Sequence, residues 1–310
     1  METTEHKGYR FSRLCLGTVQ LGMPYGISNH TGVPSLQESI SMLQHAAAAG
    51  INTFDTARQY GHAEAVLADY MAACASKPHI VSKFKISAAN ITNLEAAWLE
   101  AASSVKESLR VLNIPQLPVC LLHKSTEPAG ELMKIVPEIL RRLKAEGLIN
   151  IGGISAFYPE DVEYVLGEES IEATQIPVNM LDQRLIRNGN LTRLQQQNKL
   201  VFARSIFLQG LFFMDEAALR GNLTAAAPHL RQLRQLAAEA GMSVAQLAFS
   251  FVRDLAGISS LVIGAANTEQ IAENVALMNG PAIPAAVYAK LADVFSNVEE
   301  VVLTPGMWNK

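Results

Sequence analysis

Short apolar runs alternate with longer amphipathic stretches along the chain. A brief apolar run bounded by polar residues predicts a buried strand, and apolar residues three and four apart predict a helix with one inward face. Arg13–Gly17 is predicted as a first strand. Ser35–Gly50 is predicted as the helix after it, opened by a capping box of Ser35 and Glu38, with Leu36, Ile40, Leu43 and Ala47 on one face. Further strands are predicted at Ile51–Phe54, His79–Ser82, Pro118–Leu122, Asn150–Ile154, Ala173–Ile176, Leu200–Ala203 and Leu261–Ile263. Between them the helical spacing falls at His62–Met71, from Thr92 (paired with Glu95 as a cap) to Leu112, and from Leu132 to a stop at Gly147. It continues in a short helix from Pro159, then at Leu181–Gln197, His229–Ala240, Ser243–Asp254 and Thr268–Met278.

Eight strand–helix pairs in succession predict a parallel sheet with right-handed crossovers, closed into an α/β (β/α)8 TIM barrel. An open doubly wound sheet would want a glycine fingerprint after its first strand, and Leu16-Gly17-Thr18-Val19-Gln20-Leu21-Gly22 is not one. The whole chain, 1–310, is predicted to be one barrel domain. A long irregular connection follows the seventh strand, about 207–228, and a C-terminal tail runs over about 296–310.

Composition narrows the class. A net charge of −4 leaves no basic footprint for nucleic acid. No apolar run has the length of a membrane span, and Met1–Tyr9 lacks the apolar core of a secretion signal. Cys15, Cys74 and Cys120 are far apart, which suggests reduced thiols and a cytoplasmic protein, with no metal-ligand spacing among the His and Cys residues. The pattern says nothing of an oligomeric state.

In a barrel of this kind the chemistry gathers at the C-terminal ends of the strands. Those ends bring Asp55 with Tyr60 just beyond it, then Lys83, His123 and Ser155, with Gln175 in the sixth strand. Reduction of a carbonyl leaves an alkoxide that needs a proton. Tyr60 can supply it, and an ammonium such as Lys83 would lower the phenol pKa toward neutrality. Asp55 would hold Lys83 in place, and His123 can hydrogen-bond the carbonyl oxygen. Singly, each residue has an ordinary structural reading: a turn, a solvated charge, a packing group. All four at adjacent strand ends form a chemical set.

Phe54-Asp55-Thr56-Ala57-Arg58-Gln59-Tyr60-Gly61, with Glu64 beyond, resembles the D-T-A-x-x-Y-G-x-x-E signature of the aldo-keto reductase superfamily. Ser82-Lys83 and Leu121-Leu122-His123 resemble its lysine and histidine elements, and the resemblance runs from Leu16-Gly17-Thr18 to Glu273-Asn274. The opening Gly17-Thr18-Val19-Gln20-Leu21-Gly22, followed by Tyr25-Gly26-Ile27, is similar to that of a bacterial subgroup. The resemblance implies NAD(P)H-dependent reduction of a small-molecule aldehyde or ketone, with Asp55, Tyr60, Lys83 and His123 as the catalytic tetrad. It implies cofactor contacts from Gly17, Thr18, Ser155, Gln175, Ser205, Gly264, Gln270, Glu273 and Asn274, and NADP(H) ahead of NAD(H). Thr268 is a candidate cap for a helix whose N-terminal amides favour a phosphate.

Two positions depart from the family pattern. Ala156 stands where Asn is common, and Gln270 where many NADPH-dependent members have Arg, so Arg204 or Lys199 would have to compensate for the missing charge. Arg58, Gln59, His62 and Trp308 are candidate substrate contacts, and Phe207, Phe212, Phe213 and Met214 can wall the site or anchor their loop. The short connection Lys124–Gly130 suggests an open cleft suited to a polar, sugar-like substrate. Three other functions fit less of the pattern: a sugar or alcohol dehydrogenase working oxidatively, a non-catalytic cofactor-binding regulatory subunit, and a barrel lyase or isomerase.

Overall fold

A computed structural model of the chain describes residues 1–27, 32–75, 77–124, 127 and 129–309. It opens with an antiparallel hairpin, β1 (Thr3–His6) and β2 (Tyr9–Ser12). Strands β3 (Leu14–Gly17), β4 (Thr53–Asp55), β5 (His79–Phe84), β6 (Leu117–His123), β7 (Ile149–Ser155), β8 (Ala173–Pro177), β9 (Leu200–Arg204) and β10 (Ser260–Gly264) follow. These eight pair in parallel, each with the next, and β10 closes on β3 to complete the barrel.

The helices that matter for the site are α1 (Val19–Gly22), α2 (Leu36–Ala48), α3 (Ala63–Ala72), α4 (Leu94–Leu112), α5 (Ala129–Ala145) and α6 (Asp161–Gly167). They continue with α7 (Arg184–Arg187), α8 (Asn190–Gln196), α9 (Ala227–Ala240), α10 (Val244–Arg253), α11 (Thr268–Met278), α12 (Ala285–Val294) and α13 (Glu300–Leu303). No helix of the described residues is long and apolar enough to cross a membrane.

The predicted alternation is present, with strand ends displaced by one or two residues. The capping box of α2 is complete: Ser35 accepts from Glu38 N, and Glu38 from Ser35 N. Two predicted caps fall one residue off. Asn93, not Thr92, caps α4 by accepting from Ala96 N, and Asn267, not Thr268, caps α11 by accepting from Gln270 N. In each pair the Asn stands on extended backbone and its side-chain oxygen meets the third amide of the helix, which leaves Thr92 before the cap and Thr268 as the first residue of α11. The single helix predicted over Leu181–Gln197 is two short ones, because Gly189 adopts φ 77° between them. The long connection after β9 holds three 3-10 turns, Leu208–Phe213, Glu216–Ala218 and Gly221–Ala226.

The N-terminal hairpin was not foreseen, since its residues are mostly polar. It plugs the bottom of the barrel. Phe11 is fully buried and joins Val81, Val119, Leu121, Ile151, Leu200 and Phe202 in the barrel interior, set edge-on to Phe202 at 6.1 Å. Arg13 donates to the carbonyls of Arg253 and Ile258, and Thr4 to that of Ser259, so the plug is tied to the chain entering β10.

At the other end two loops touch backbone to backbone. A Cβ on Gly22 would lie 1.8 Å from the Tyr60 carbonyl oxygen, and one on Gly61 would lie 2.1 Å from the Gly22 carbonyl. Only glycine at both positions lets α1 pack on the loop that carries Tyr60.

Phe11→Ala should cost about 3–5 kcal/mol of stability, the range for emptying a buried aromatic site. Urea denaturation checks it. A change of under about 1 kcal/mol would mean that the hairpin does not seal the interior.

Candidate active site

Parallel register sets the strand ends side by side at one mouth. Gly17 pairs with Asp55, Lys83 with Leu121, His123 with Ser155, and Ser155 with Gln175. Successive residues of a strand alternate between faces. Val81 and Lys83 therefore point inward together, and so do Val119, Leu121 and His123. The inward layers are apolar until the last, where the functional groups stand.

Lys83 is the hub. Its Nζ donates to Asp55 Oδ1 at 2.7 Å, to the Thr56 carbonyl at 2.9 Å and to the Tyr60 hydroxyl at 3.4 Å. An ammonium has three N–H groups, and these partners account for all of them. The Lys83 and Asp55 side chains are 0% and 4% exposed. Gln175 Nε2 donates to the same Asp55 oxygen at 2.7 Å, and Ser155 Oγ donates to Gln175 Oε1 at 3.4 Å. The structure thus brings Asp55, Tyr60, Lys83, Ser155 and Gln175 into one hydrogen-bonded chain. The Tyr60 and His123 rings meet edge-on with centroids 5.9 Å apart, and His123 Nδ1 lies 3.1 Å from Gln59 Oε1.

The charges set the protonation states. Burial alone would push the Lys83 ammonium down, but Asp55 and Tyr60 outweigh it and hold its pKa above the ordinary lysine value. Tyr60 reverses an expectation. Burial raises its pKa more than the Lys83 charge lowers it, so the phenol sits above its usual range and not below. The sequence displays the cation but not the desolvation. His123 is pushed down to about 3, first by burial and then by the positive charges of Lys83, Lys85 and Arg204. Its imidazole is neutral near pH 7.

A cavity of about 820 Å³ runs from this cluster across the mouth to α11. One end is formed by Gly17, Asp55, Tyr60, Gln175 and Arg204. The middle runs past Ser205 and Phe207, and the far end past Gly264, Gln270, Glu273 and Asn274. Thr18 lies behind the wall, fully buried, with its hydroxyl on the Asp55 carbonyl. Ser155 is likewise buried behind Gln175.

The shape and lining suit an elongated dinucleotide. Gln20 Oε1, on the wall, is buried without a hydrogen-bond partner, and a Cβ on Gly264 would come within 2.4 Å of it. A bare backbone beside an unsatisfied acceptor is a cradle for a polar group of a ligand. The loop above it is held in sparsely populated backbone: Ser205, Leu208 and Gln209 have φ of 64°, 48° and 55°. Such strain persists where the surroundings enforce it, here in part through Asn179, which donates to the Ser205 carbonyl. Asn179 was not singled out from sequence, because it belongs to no pattern, and Gln20 stood within the quoted opening without a role of its own.

Other candidates stand elsewhere. Arg58 pairs with buried Glu64 at 2.6 Å, and Ser82 donates to the second Glu64 oxygen, so the guanidinium braces the catalytic loop from behind. Trp308 is buried in the tail, donates its indole N–H to the Val301 carbonyl, and is not among the residues lining the cavity. His62 is exposed at the start of α3. Phe207 and Phe213 line the cavity in an edge-on pair, whereas Phe212 is buried in the core. Gln270 turns its Oε1 back onto Ala266 N. Lys199 cannot stand in for an Arg there, because its Nζ is bound to the carbonyls of Glu168 and Ile171 beneath β8. Arg204 is in the cavity wall, but at the catalytic end. The connection after His123 lies partly outside the described residues, which omit 125, 126 and 128.

Comparison with known proteins agrees with this arrangement. An uncharacterized oxidoreductase of Bacillus subtilis, YqkF, is 24% identical over 259 residues, which cover 78% of this chain and 82% of that protein. Among solved structures, the glycerol dehydrogenase AKR11B4 from Gluconobacter oxydans superposes with a TM-score of 0.75 at 20% identity, covering 96% of both chains. An aldo/keto reductase from Klebsiella pneumoniae in complex with NADP and acetate has a TM-score of 0.67 at 20% identity, covering 93% of each. At such identities the structural likeness speaks for the barrel alone. The family model described as "Aldo/keto reductase family" matches residues 13–295, from the strand after the hairpin to beyond α12. By that match, which takes in all eight barrel strands and every member of the buried cluster around Lys83, this chain belongs to the aldo/keto reductase family.

Proposed function

We propose that the protein reduces the carbonyl of an aldehyde or ketone, a polar and sugar-like one, using a nicotinamide dinucleotide held in the cavity between Gln175 and Asn274. The observation that carries this reading is the Lys83 ammonium, with its three N–H groups committed to Asp55, Thr56 and Tyr60. That is an arrangement for moving a proton at the Tyr60 oxygen. The bound reduced nicotinamide would supply the hydride. The protein's part is to orient, polarise and protonate.

Tyr60 donates its phenolic proton to the alkoxide that forms. Because burial keeps the phenol protonated, it is ready as an acid at neutral pH. The phenolate it leaves is stabilised by Lys83, which Asp55 in turn holds charged. Gln175 fixes Asp55 from the other side, Ser155 holds Gln175 from behind, and the Gln175 side chain in the cavity wall would meet the carboxamide of the nicotinamide. Neutral His123 polarises the carbonyl oxygen, and to do so its proton must be on Nε2. A half-turn of the Gln59 amide, which places its N–H on Nδ1, gives that tautomer.

The same groups catalyse oxidation when Tyr60 is a phenolate. Its raised pKa therefore favours reduction near neutrality and leaves oxidation to alkaline pH. A cytoplasmic location and single-domain organisation fit this role and belong to the proposal. Gly17, Ser205, Gly264, Gln270, Glu273 and Asn274 are proposed to bind the cofactor, with Thr18 behind them holding the Asp55 carbonyl.

Tyr60→Phe should lower kcat by about 10²–10⁴-fold, the usual share of a general acid, while fluorescence titration shows little change in NADPH affinity. A variant that keeps most of its kcat would remove Tyr60 from the chemistry.

The pH profile separates the roles. His123 does not charge until about pH 3, so reductive kcat/KM should be flat from about pH 5 to pH 8 and fall only as Tyr60 ionises in alkali. The oxidative rate should climb over that alkaline range. An acidic limb near pH 6.5 would place a charging imidazole in the rate and overturn the neutral assignment of His123.

NADP(H) is the expected cofactor, as in the Klebsiella complex named above. At the adenosine end, however, the lining offers carboxamides and Glu273, and Arg204 at the far end is the one cation among the described lining residues. NADPH should therefore bind less than about tenfold more tightly than NADH, because no guanidinium is there to meet a 2′-phosphate. A preference of about a hundredfold or more would mean that a cation reaches the site after all.

A further inference from the structure

The mouth of the barrel carries positive charge that the tetrad does not use. Phe84 pairs with Leu122, so the next step of the same register brings Lys85 beside His123. Alternation turns Lys85 to the side of Lys83, inward and upward at the rim. Lys85 is half-buried and has neither a hydrogen bond nor an ion pair among the described residues.

On the opposite flank stands Arg204, at the end of β9. Its guanidinium donates to the Ala156 carbonyl at 2.9 Å and to Ser205 Oγ at 3.1 Å. Ala156 directly follows Ser155, the register partner of His123. Arg204 is also half-buried and has no carboxylate within ion-pair distance among the described residues, and two of its five N–H groups serve those bonds.

Two cations thus flank His123, Lys85 from the adjoining end of β5 and Arg204 by reaching from β9 to the residue just beyond β7, and the nearby carboxylate, Asp55, is engaged by Lys83 and Gln175. Half-burying like charges without a counter-ion is unfavourable for the free protein, unless a ligand brings the opposite charge. Their field is felt at His123, where both add to the effect of burial.

We propose that Lys85 and Arg204 form an anion subsite at the rim of the barrel, which takes an acidic group (carboxylate or phosphate) carried by the carbonyl substrate and so sets that carbonyl against His123 and Tyr60. This rests on the reductase reading and narrows it: the preferred substrates are oxo acids, acidic sugars or sugar phosphates. Arg204 grips the acidic group by its fork, and Lys85 supplies a point charge from the other side.

The test uses the full-length protein with saturating NADPH and two matched substrate pairs: 4-carboxybenzaldehyde against 4-formylbenzamide, and glyceraldehyde 3-phosphate against glyceraldehyde. At least one anionic member should exceed its neutral partner in kcat/KM by about tenfold or more, and added salt should shrink the gap. Whichever pair shows the gap identifies carboxylate or phosphate as the group. Lys85→Met should bring that ratio to within about threefold of unity, and Lys85→Arg should restore it. In parallel, the imidazole NMR signals of His123 should shift on titration with terephthalate, and the shift should need a higher concentration in Lys85→Met. Equal turnover of both members of both pairs, with no effect of Lys85→Met on the ratios or the titration, would overturn the subsite and leave the reductase standing. Terephthalate binding that depends on Lys85, in a protein that turns over none of the four aldehydes, would support the subsite and discard the reductase.

Discussion

Lys83 and Asp55 are charged, in contact and almost wholly buried. Such a pair does not stabilise a fold by default, since removing two ions from water costs several kcal/mol each. It persists because each ion has further partners: the Thr56 carbonyl and Tyr60 hydroxyl on the cation, and the Gln175 amide on the same Asp55 oxygen that faces Lys83. Four strand ends must agree in register for that to hold, β4, β5, β7 and β8. The buried pair is therefore a constraint on the barrel as much as a part of its chemistry. Losing one member would leave an uncompensated ion, at about 3–5 kcal/mol.

The barrel was legible because its signal is repeated and local. Each strand is a short apolar run, and each helix an apolar stripe that faces it. Single choices between neighbours were less legible. Thr92-Asn93 and Asn267-Thr268 each offer two capping residues in a row, and only backbone geometry decides that Asn accepts from the third amide. The hairpin escaped notice because its aromatics, Phe11 and beside it Tyr9, pack on an interior that no local pattern reveals.

The residues proposed as a tetrad could be listed as a set of types at strand ends, yet their electrostatics could not. From residue types, an ammonium beside a phenol predicts acidification. In three dimensions the phenol is enclosed, and enclosure wins. Arg58 illustrates the same limit: a charged residue two positions before Tyr60 suggests substrate contact, but it turns away to buried Glu64. Arg204 could be named but not placed, because it belongs to a strand whose neighbours across the barrel are remote in sequence. The cavity joins two unlike ends, one with Arg204 in its wall and the other with Glu273.

The contact of Gly22 with Gly61 has a mechanical consequence. The carbonyl of Tyr60 lies where the first carbon of any side chain on Gly22 would have to go, and Ala63 N donates to that same carbonyl. The turn that begins the floor of the cavity and the loop that carries the phenol therefore behave as one solid piece, without a cushion of side chains between them. A ligand pressing on the segment around Gln20 would carry the Tyr60 hydroxyl with it, so that filling the cavity and aiming that hydroxyl would be one movement.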